Sequence, residues 1–97
     1  MNKVNTQTVY IQAQCVLSFP IHNGIYLHNV DSDTFFTMEE GVATYIWTQL
    51  NASKKLEIII KEVAKLSSCR VIDIEDDIRL FIEDLIKNDM IVEYFSV

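Results

Sequence analysis

The chain has 97 residues, of which 49% are hydrophobic, and a formal net charge of −6 at pH 7. This length and composition exclude a disordered chain and leave room for one domain only. The sequence contains neither a membrane span of about 18 apolar residues nor a signal peptide, so we predict that this domain is cytoplasmic. The charge is concentrated between Asp73 and Asp89, where seven acids and two bases give −5, which disfavours a nucleic-acid partner and favours a basic peptide.

The first third of the chain has the alternating pattern of β-strands. Residues 9–19 predict one half-buried strand, because apolar side chains recur at every second position. Asn23-Gly24 is the strongest two-residue signal for a hairpin, and residues 25–30 form the predicted return strand. The predicted core side of the first strand carries Val9, Ile11, Ala13, Cys15, Leu17 and Phe19.

A third, short strand is predicted over residues 34–38. It follows a turn at Asp31-Ser32-Asp33, whose side chains can bond their own backbone. Tight turns join neighbouring strands into an antiparallel meander. The second strand is therefore expected at the centre of the sheet, with the first and third strands at its edges.

Helical periodicity predicts three helices in the rest of the chain. Thr37, with Glu40 three residues later, has the spacing of a capping box for the first helix. Ser53 is the predicted N-cap of the second helix and Asp73 that of the third, and residues 91–94 form a short extended tail. The predicted core stripes are Val42, Tyr45, Ile46 and Leu50; Leu56, Ile59, Ile60 and Val63; and Ile74, Ile78, Phe81, Ile82 and Leu85.

The sequence contains no visible catalytic arrangement. His22 and His28 lie in or beside the hairpin without an acid or a thiol at a useful spacing, so both are predicted to be surface residues. Cys15 fits a small buried hydrophobic residue, and it forms no Cys-x-x-Cys pair with Cys69. The acids at residues 75–77 admit a metal site, although such a run is more often the solvated N-terminus of a helix. We therefore predict no metal, no cofactor and no enzymatic activity.

Two adjacent phenylalanines and an unguarded edge strand indicate a partner. Phe35 and Phe36 must face opposite sides of a strand, so one of them needs an apolar environment outside the core. Residues 34–38 contain neither a charge nor a proline, although natural edge strands are commonly guarded by such residues. Two alternatives follow: a partner peptide adds to this edge as a further strand, or a helix or the tail at residues 91–94 covers it.

The third predicted helix supplies a second wall for this candidate site. At about 100° per residue, one flank beside its core stripe mixes a large apolar side chain with two acids. Such a flank suits a peptide with apolar anchors and nearby lysines. The predicted peptide-binding residues are Thr34, Phe35, Phe36, Thr37 and Met38 on the strand, and Asp77, Leu80, Phe81, Asp84 and Asn88 on the helix.

A set of short motifs accompanies the order of three strands and three helices. They are Tyr45-Ile46-Trp47, residues 53–58, Asp77-Ile78, Phe81-Ile82, Leu85 and Met90-Ile91-Val92. In combination, over roughly residues 9–94, these motifs resemble the PqqD-like family of recognition elements for ribosomally made, modified peptides. The resemblance implies one PqqD-like domain over residues 1–97, with an α+β fold similar to a winged helix-turn-helix.

The resemblance also implies a non-catalytic adaptor for the leader segment of a precursor peptide. In this family the leader adds as a strand to the third strand and lies against the third helix. Residues 25–36, with an acidic turn between two aromatic-rich strands, look most like members from lasso-peptide clusters. There the leader has tyrosine and leucine anchors, and a separate leader peptidase and an ATP-dependent cyclase are the enzymes served. A monomer or a swapped dimer is expected.

Three other functions stay open at the level of sequence. An adaptor for a radical-SAM enzyme, as in pyrroloquinoline quinone biosynthesis, is the nearest alternative. A winged-helix nucleic-acid binder is disfavoured by the charge of −5 on the helix that would read the DNA. A small structural or dimerisation module is the third possibility.

Overall fold

The computed structural model describes residues 4–95. Its elements are β1 (Tyr10–Gln12), β2 (Val16–Ile21), β3 (Gly24–Asn29), β4 (Thr34–Glu39), α1 (Val42–Gln49), α2 (Leu56–Leu66), α3 (Val71–Lys87) and β5 (Ile91–Glu93). β2, β3 and β4 form an antiparallel sheet in that order, and β1 pairs with β5. The predicted α+β fold, a three-stranded antiparallel sheet followed by three helices, is confirmed. None of the helices in residues 4–95 is both long and apolar enough to cross a membrane.

The hairpin between β2 and β3 turns at His22-Asn23, one residue before the predicted Asn23-Gly24 pair, because Gly24 already pairs with Ile21 as the first residue of β3. Asn23 has a positive φ of 65°, a conformation that asparagine tolerates better than most residues. Gly24 is required by close packing, because a Cβ there would lie 2.1 Å from the carbonyl oxygen of Met38. The resulting order confirms that the second predicted strand is central and that the first and third lie at the edges.

The prediction of one strand over residues 9–19 is wrong. The segment divides after Gln12 into β1 and β2, which belong to different sheets. β1 pairs with β5 near the other end of the chain, and local alternation contains no information about such a distant pairing. The predicted faces are also reversed, since Tyr10 is buried whereas Leu17 and Phe19 are half-exposed.

Two residues predicted as N-caps, Thr37 and Asp73, do not occupy the cap position of their helices. Thr37 belongs to β4, and α1 begins after Gly41, whose N–H donates to Thr44 Oγ1 at 3.0 Å. Asp73 lies in the first turn of α3, where its carboxylate accepts from the backbone N–H of Arg70 at 3.3 Å and from the guanidinium at 3.1 Å. An acid at this position still stabilises the helix N-terminus.

The start of α2 is held by the N-terminal segment rather than by Ser53, the predicted cap. The residue at the cap position offers no side-chain hydrogen bond. The N–H groups of Leu56 and Glu57 donate instead to the carbonyls of Thr8 and Thr6, at 3.0 and 2.8 Å. Carbonyls distant in sequence thus satisfy the free amides of the first turn, which no local motif could indicate.

One hydrophobic core joins the helices to both sheets. It includes Val4, so it begins before the residue 9 boundary that the resemblance implies. The predicted helical stripes supply much of it, although Tyr45, Ile74 and Phe81 are only partly buried at its border, and the prediction that Val42 belongs to the core is wrong, since it is half exposed. The largest fully buried side chains are Tyr10, Leu27, Ile46, Leu50, Leu56, Ile59, Ile60, Ile82, Leu85 and Met90.

Candidate functional site

The outer edge of β4 is free of a strand in the described part of the chain. β4 pairs with β3 on one side, and the tail predicted at residues 91–94 pairs as β5 with β1. The alternative that this tail covers the edge is therefore wrong. Within residues 4–95, the outer row of β4 backbone groups can accept another strand, and such an edge is what strand addition requires.

The direction of the backbone groups along β4 follows from one hydrogen bond beyond its end. The N–H of Glu40 donates to the carbonyl of Asn23 at 2.8 Å, which makes these residues a hydrogen-bonded pair. Such pairs alternate with non-bonded pairs along an antiparallel ladder. In the observed register, the N–H and C=O groups of Phe35 and Thr37 therefore point outward, and those of the residues on either side point to β3.

Phe35 and Phe36 lie on opposite faces of β4, as the sequence predicts. The ring of Phe36 is partly buried, with its centroid 6.1 Å from that of Phe81 on α3. Phe35 is 51% exposed and stacks on His28, with ring centroids 4.4 Å apart and 3° between the planes. The apolar environment of Phe35 outside the core is thus the outer face of the sheet.

Two contacts identify the flank of α3 that adjoins β4. Phe36 contacts Phe81, and Thr34 Oγ1 donates to the backbone carbonyl of Asn88 at 2.7 Å. The opposite flank faces the N-terminal segment, where Arg79 Nη1 donates to a backbone carbonyl at 3.0 Å. At about 100° per residue, the flank on the β4 side also carries Asp77, Leu80 and Asp84.

The predicted site residues differ in accessibility. Leu80 is 59% exposed, and Asp77 and Asp84 on the same flank are also exposed. Within residues 4–95, neither of these acids forms an ion pair. Met38 differs from the others, because its side chain is 6% exposed and belongs to the core. The surface between β4 and α3 therefore combines apolar side chains with an uncompensated acidic border, which is complementary to a peptide with apolar and basic residues.

His28 and Cys15 make structural contacts around the β3–β4 turn. The prediction that His28 lacks an acidic partner is wrong, since its Nε2 lies 2.9 Å from Asp33 Oδ1 across the turn. His22 is exposed, as predicted. Cys15 is partly buried, and its thiol donates to Asn29 Oδ1 at 3.2 Å. In the part of the chain that the structure describes, no three His, Cys, Asp or Glu residues are grouped to hold a metal ion.

Sequence reasoning missed the outer face of the sheet as a surface. Leu17, Phe19 and Ile21 of β2 are each about half exposed. Tyr26 of β3 lies between Phe19 and Phe35 in one aromatic row. Alternation finds an apolar face, but it cannot say whether helices or solvent lie over that face when both faces carry apolar residues.

Comparisons with known proteins agree with this architecture. No protein-family model matches the chain, and no curated protein matches it at a significant level. Among solved structures, the fold is similar to that of TbiB1 in complex with the TbiA(beta) leader peptide, with a TM-score of 0.75. The match covers 89% of this chain and 99% of that chain at 23% sequence identity, so the similarity concerns the fold alone.

Proposed function

We propose that this chain is a non-catalytic adaptor that binds the leader segment of a ribosomally made precursor peptide. The observation that carries the proposal is the edge of β4, free within residues 4–95, where the backbone groups of Phe35 and Thr37 point outward beside the Phe81 flank of α3. An extended peptide can add there through main-chain hydrogen bonds. Further support comes from the fold shared with TbiB1, which is solved in complex with a leader peptide.

The proposed complex uses both sides of the added strand. Successive side chains of a strand fall on alternate faces, so every second peptide residue lies on the helix side, against Phe36, Phe81 and Leu80. The hydrogen bond between Thr34 and Asn88 joins β4 to α3 at one end of this surface. Lysine or arginine residues of the leader meet the acids of the α3 flank, Asp77 and Asp84, which add more to the rate and specificity of binding than to its strength.

The enzymes served, in our proposal, are the leader peptidase and the ATP-dependent cyclase of a lasso-peptide pathway. The acidic turn between two aromatic-rich strands, at residues 25–36, supports this assignment through its likeness to members from lasso-peptide clusters. A radical-SAM enzyme is the alternative partner. In either case one PqqD-like domain, without a cofactor and in the cytoplasm, delivers the peptide.

The test is a titration of the purified chain with the leader segment of the precursor peptide encoded nearest to its gene. We expect saturable binding by calorimetry, with amide NMR shifts concentrated at residues 34–39 and 77–88. Absence of binding, or shifts confined to other surfaces, would contradict the proposal. Mass spectrometry after prolonged incubation should find the peptide unchanged, and cleavage by the pure protein would contradict a non-catalytic role.

A further inference from the structure

The apolar side of β2 faces solvent. In its register with β3, Ser18 lies opposite the buried Leu27, whereas Phe19 lies opposite Tyr26 on the other face. The side of β2 that faces the core carries Val16, which packs against the core at one end, followed by Ser18 and Pro20, which are both exposed. Antiparallel sheets covered on one face normally place polar residues outward. Packing of this chain alone does not account for the reversed arrangement in β2.

Stacked aromatic rings make the outer face a continuous surface. The ring centroids of Phe19 and Tyr26 lie 6.2 Å apart, and Tyr26 stacks on Phe35 at 5.7 Å with 8° between the planes. His28 also stacks on Phe35, with ring centroids 4.4 Å apart, and is hydrogen-bonded to Asp33. The row crosses all three strands and ends at the free edge of β4. The apolar and aromatic side chains of the outer face are those of Leu17, Phe19, Ile21, Tyr26, His28 and Phe35.

The fixed charges around the outer face are acidic. Asp31, Asp33, Glu39 and Glu40 lie at the two ends of β4, and residues 4–53 contain no lysine or arginine. An apolar surface with an acidic border is complementary to an apolar surface bordered by lysine or arginine. A second copy of this chain is a poor occupant, because a two-fold contact through the outer face would bring the same acids together.

The outer face is continuous with the edge of β4. Phe35 and Thr37 present their side chains on the outer face and their backbone groups at the edge. A peptide added to β4 therefore places every second side chain next to these two residues, on the same face. A protein that covers the outer face as far as Phe35 and Thr37 would therefore touch both the adaptor and the bound peptide.

We propose that the outer face is the docking surface for the enzyme that processes the bound peptide, and that this enzyme offers an apolar strip bordered by basic residues. The inference rests on the proposed function, since it assumes a peptide on β4. Contiguous exposed apolar surfaces of this kind mark sites of protein interaction. Docking here presents the peptide to the enzyme from the sheet side and leaves the α3 side free to hold it.

The test uses the full chain, its leader peptide and each purified processing enzyme encoded beside its gene. Leu17→Thr and Phe19→Thr remove apolar surface from the outer face while keeping residues that favour strands. Ile72→Thr removes a 78% exposed apolar side chain from α3 and serves as the matched control. In biolayer interferometry, we expect both outer-face variants to weaken enzyme binding about tenfold or more and to change the Kd for the leader by less than about twofold. The control should change neither.

The outcomes separate the docking surface from the peptide site. If both outer-face variants bind the leader and the enzyme normally, the docking surface is wrong and the proposed function stands. If the wild-type chain binds no leader, the proposed function fails and the inference falls with it. A concentration-dependent dimer in sedimentation, abolished by Phe19→Thr, would assign the outer face to a second copy and overturn the inference.

Discussion

At the scale of single residues, a substitution at Leu80 tests the proposed peptide site separately from the stability of the fold. Its side chain is 59% exposed and lies off the core stripe of α3. Leu80→Ala should therefore weaken leader binding by about 1–3 kcal/mol, the value of burying a leucine side chain in a complex, while thermal unfolding moves little. Calorimetry and a melting curve measure the two effects.

A fully buried residue of the same helix provides the control for Leu80. Ile82 is 0% exposed, so Ile82→Ala should lower the free energy of unfolding by about 2–5 kcal/mol. A Leu80→Ala variant that loses stability in the same way but binds the leader normally would contradict the assignment of Leu80 to the binding surface.

Asp84 should contribute less than Leu80, and its contribution should depend on salt. Asp84→Ala removes one exposed charge from the flank beside β4, so we expect a loss of about 0.2–1 kcal/mol in leader affinity that fades as ionic strength rises. Glu75→Ala is the control, because Glu75 lies nine residues from Asp84, about 180° around α3, beside Arg79 on the opposite flank. Equal losses for the two variants would indicate a general charge effect instead of a contact at the site.

Whether a property of the site can be predicted depends on how far apart in the sequence the residues that determine it lie. The opposite orientation of Phe35 and Phe36 follows from the local geometry of any strand, and the sequence predicts it correctly. The flank of α3 beside β4 depends on the contact between Thr34 and Asn88, which are 54 residues apart. The burial of Met38 likewise depends on the helices that cover it, so no local pattern could reveal either property.

At the scale of elements, the free edge of β4 can be blocked without removing its pairing to β3. The N–H of Thr37 points outward, so Thr37→Pro removes a donor that only an added strand would use and leaves the inner ladder intact. We expect leader binding to fall about tenfold or more while the melting temperature changes little. Calorimetric titration of the folded variant measures the loss.

Two substitutions control for the proline at position 37. Thr37→Val keeps the backbone donor and should bind normally, which separates the effect of the backbone from that of the side chain. Met38→Pro removes a donor that points to β3 and should destabilise the sheet. A folded Thr37→Pro variant with unchanged leader affinity would rule out strand addition at this edge.

Asn29 joins the β3–β4 turn to the end of α3. This buried side chain accepts from the N–H groups of Asp31 and Ser32, at 2.9 and 3.0 Å, and donates to the carbonyl of Asp89. Asn29→Ala leaves buried polar groups without partners, so urea denaturation should show a loss of about 1–3 kcal/mol in the free energy of unfolding. Asn29→Asp retains the oxygen that accepts from the turn, so its free energy of unfolding should fall less than that of Asn29→Ala. Equal stability of the wild type and Asn29→Ala would contradict this role of Asn29.

The elements themselves were predictable where local signals act and unpredictable where distant segments meet. Asn23-Gly24 and the helical stripes predict the hairpin and the three helices, because turn chemistry and periodicity are local. The division of residues 9–19 depends on β5, and the start of α2 depends on carbonyls of the N-terminal segment. The faces of β2 were predicted wrongly for a different reason. The side of this strand with more large apolar residues faces solvent, and the other side faces the core.

At the scale of the whole molecule, the charged side chains divide into an acidic part and a part that contains most of the basic residues. Residues 4–53 contain acids and no lysine or arginine, and residues 73–89 add a net charge of −5. The basic side chains between these segments are Lys54, Lys55, Lys61, Lys65 and Arg70. The sheet and α3, which form the proposed peptide site, are thus the acidic part of the molecule, and long-range attraction favours a basic peptide over a phosphate backbone.

This division predicts that the chain does not bind DNA. In a winged helix-turn-helix protein α3 would enter the groove, and here its acids would face the phosphates. Electrostatic binding to DNA is strongest at low salt, because neutralised phosphates release their counterions. A gel-shift titration with a duplex of about 20 base pairs in low-salt buffer should therefore show no complex, even at protein concentrations of about 100 μM, where ordinary non-specific DNA binders are saturated. The same preparation should bind the leader peptide, which shows that the protein is active. Micromolar DNA binding that weakens as salt is added would favour the nucleic-acid binder over the peptide adaptor.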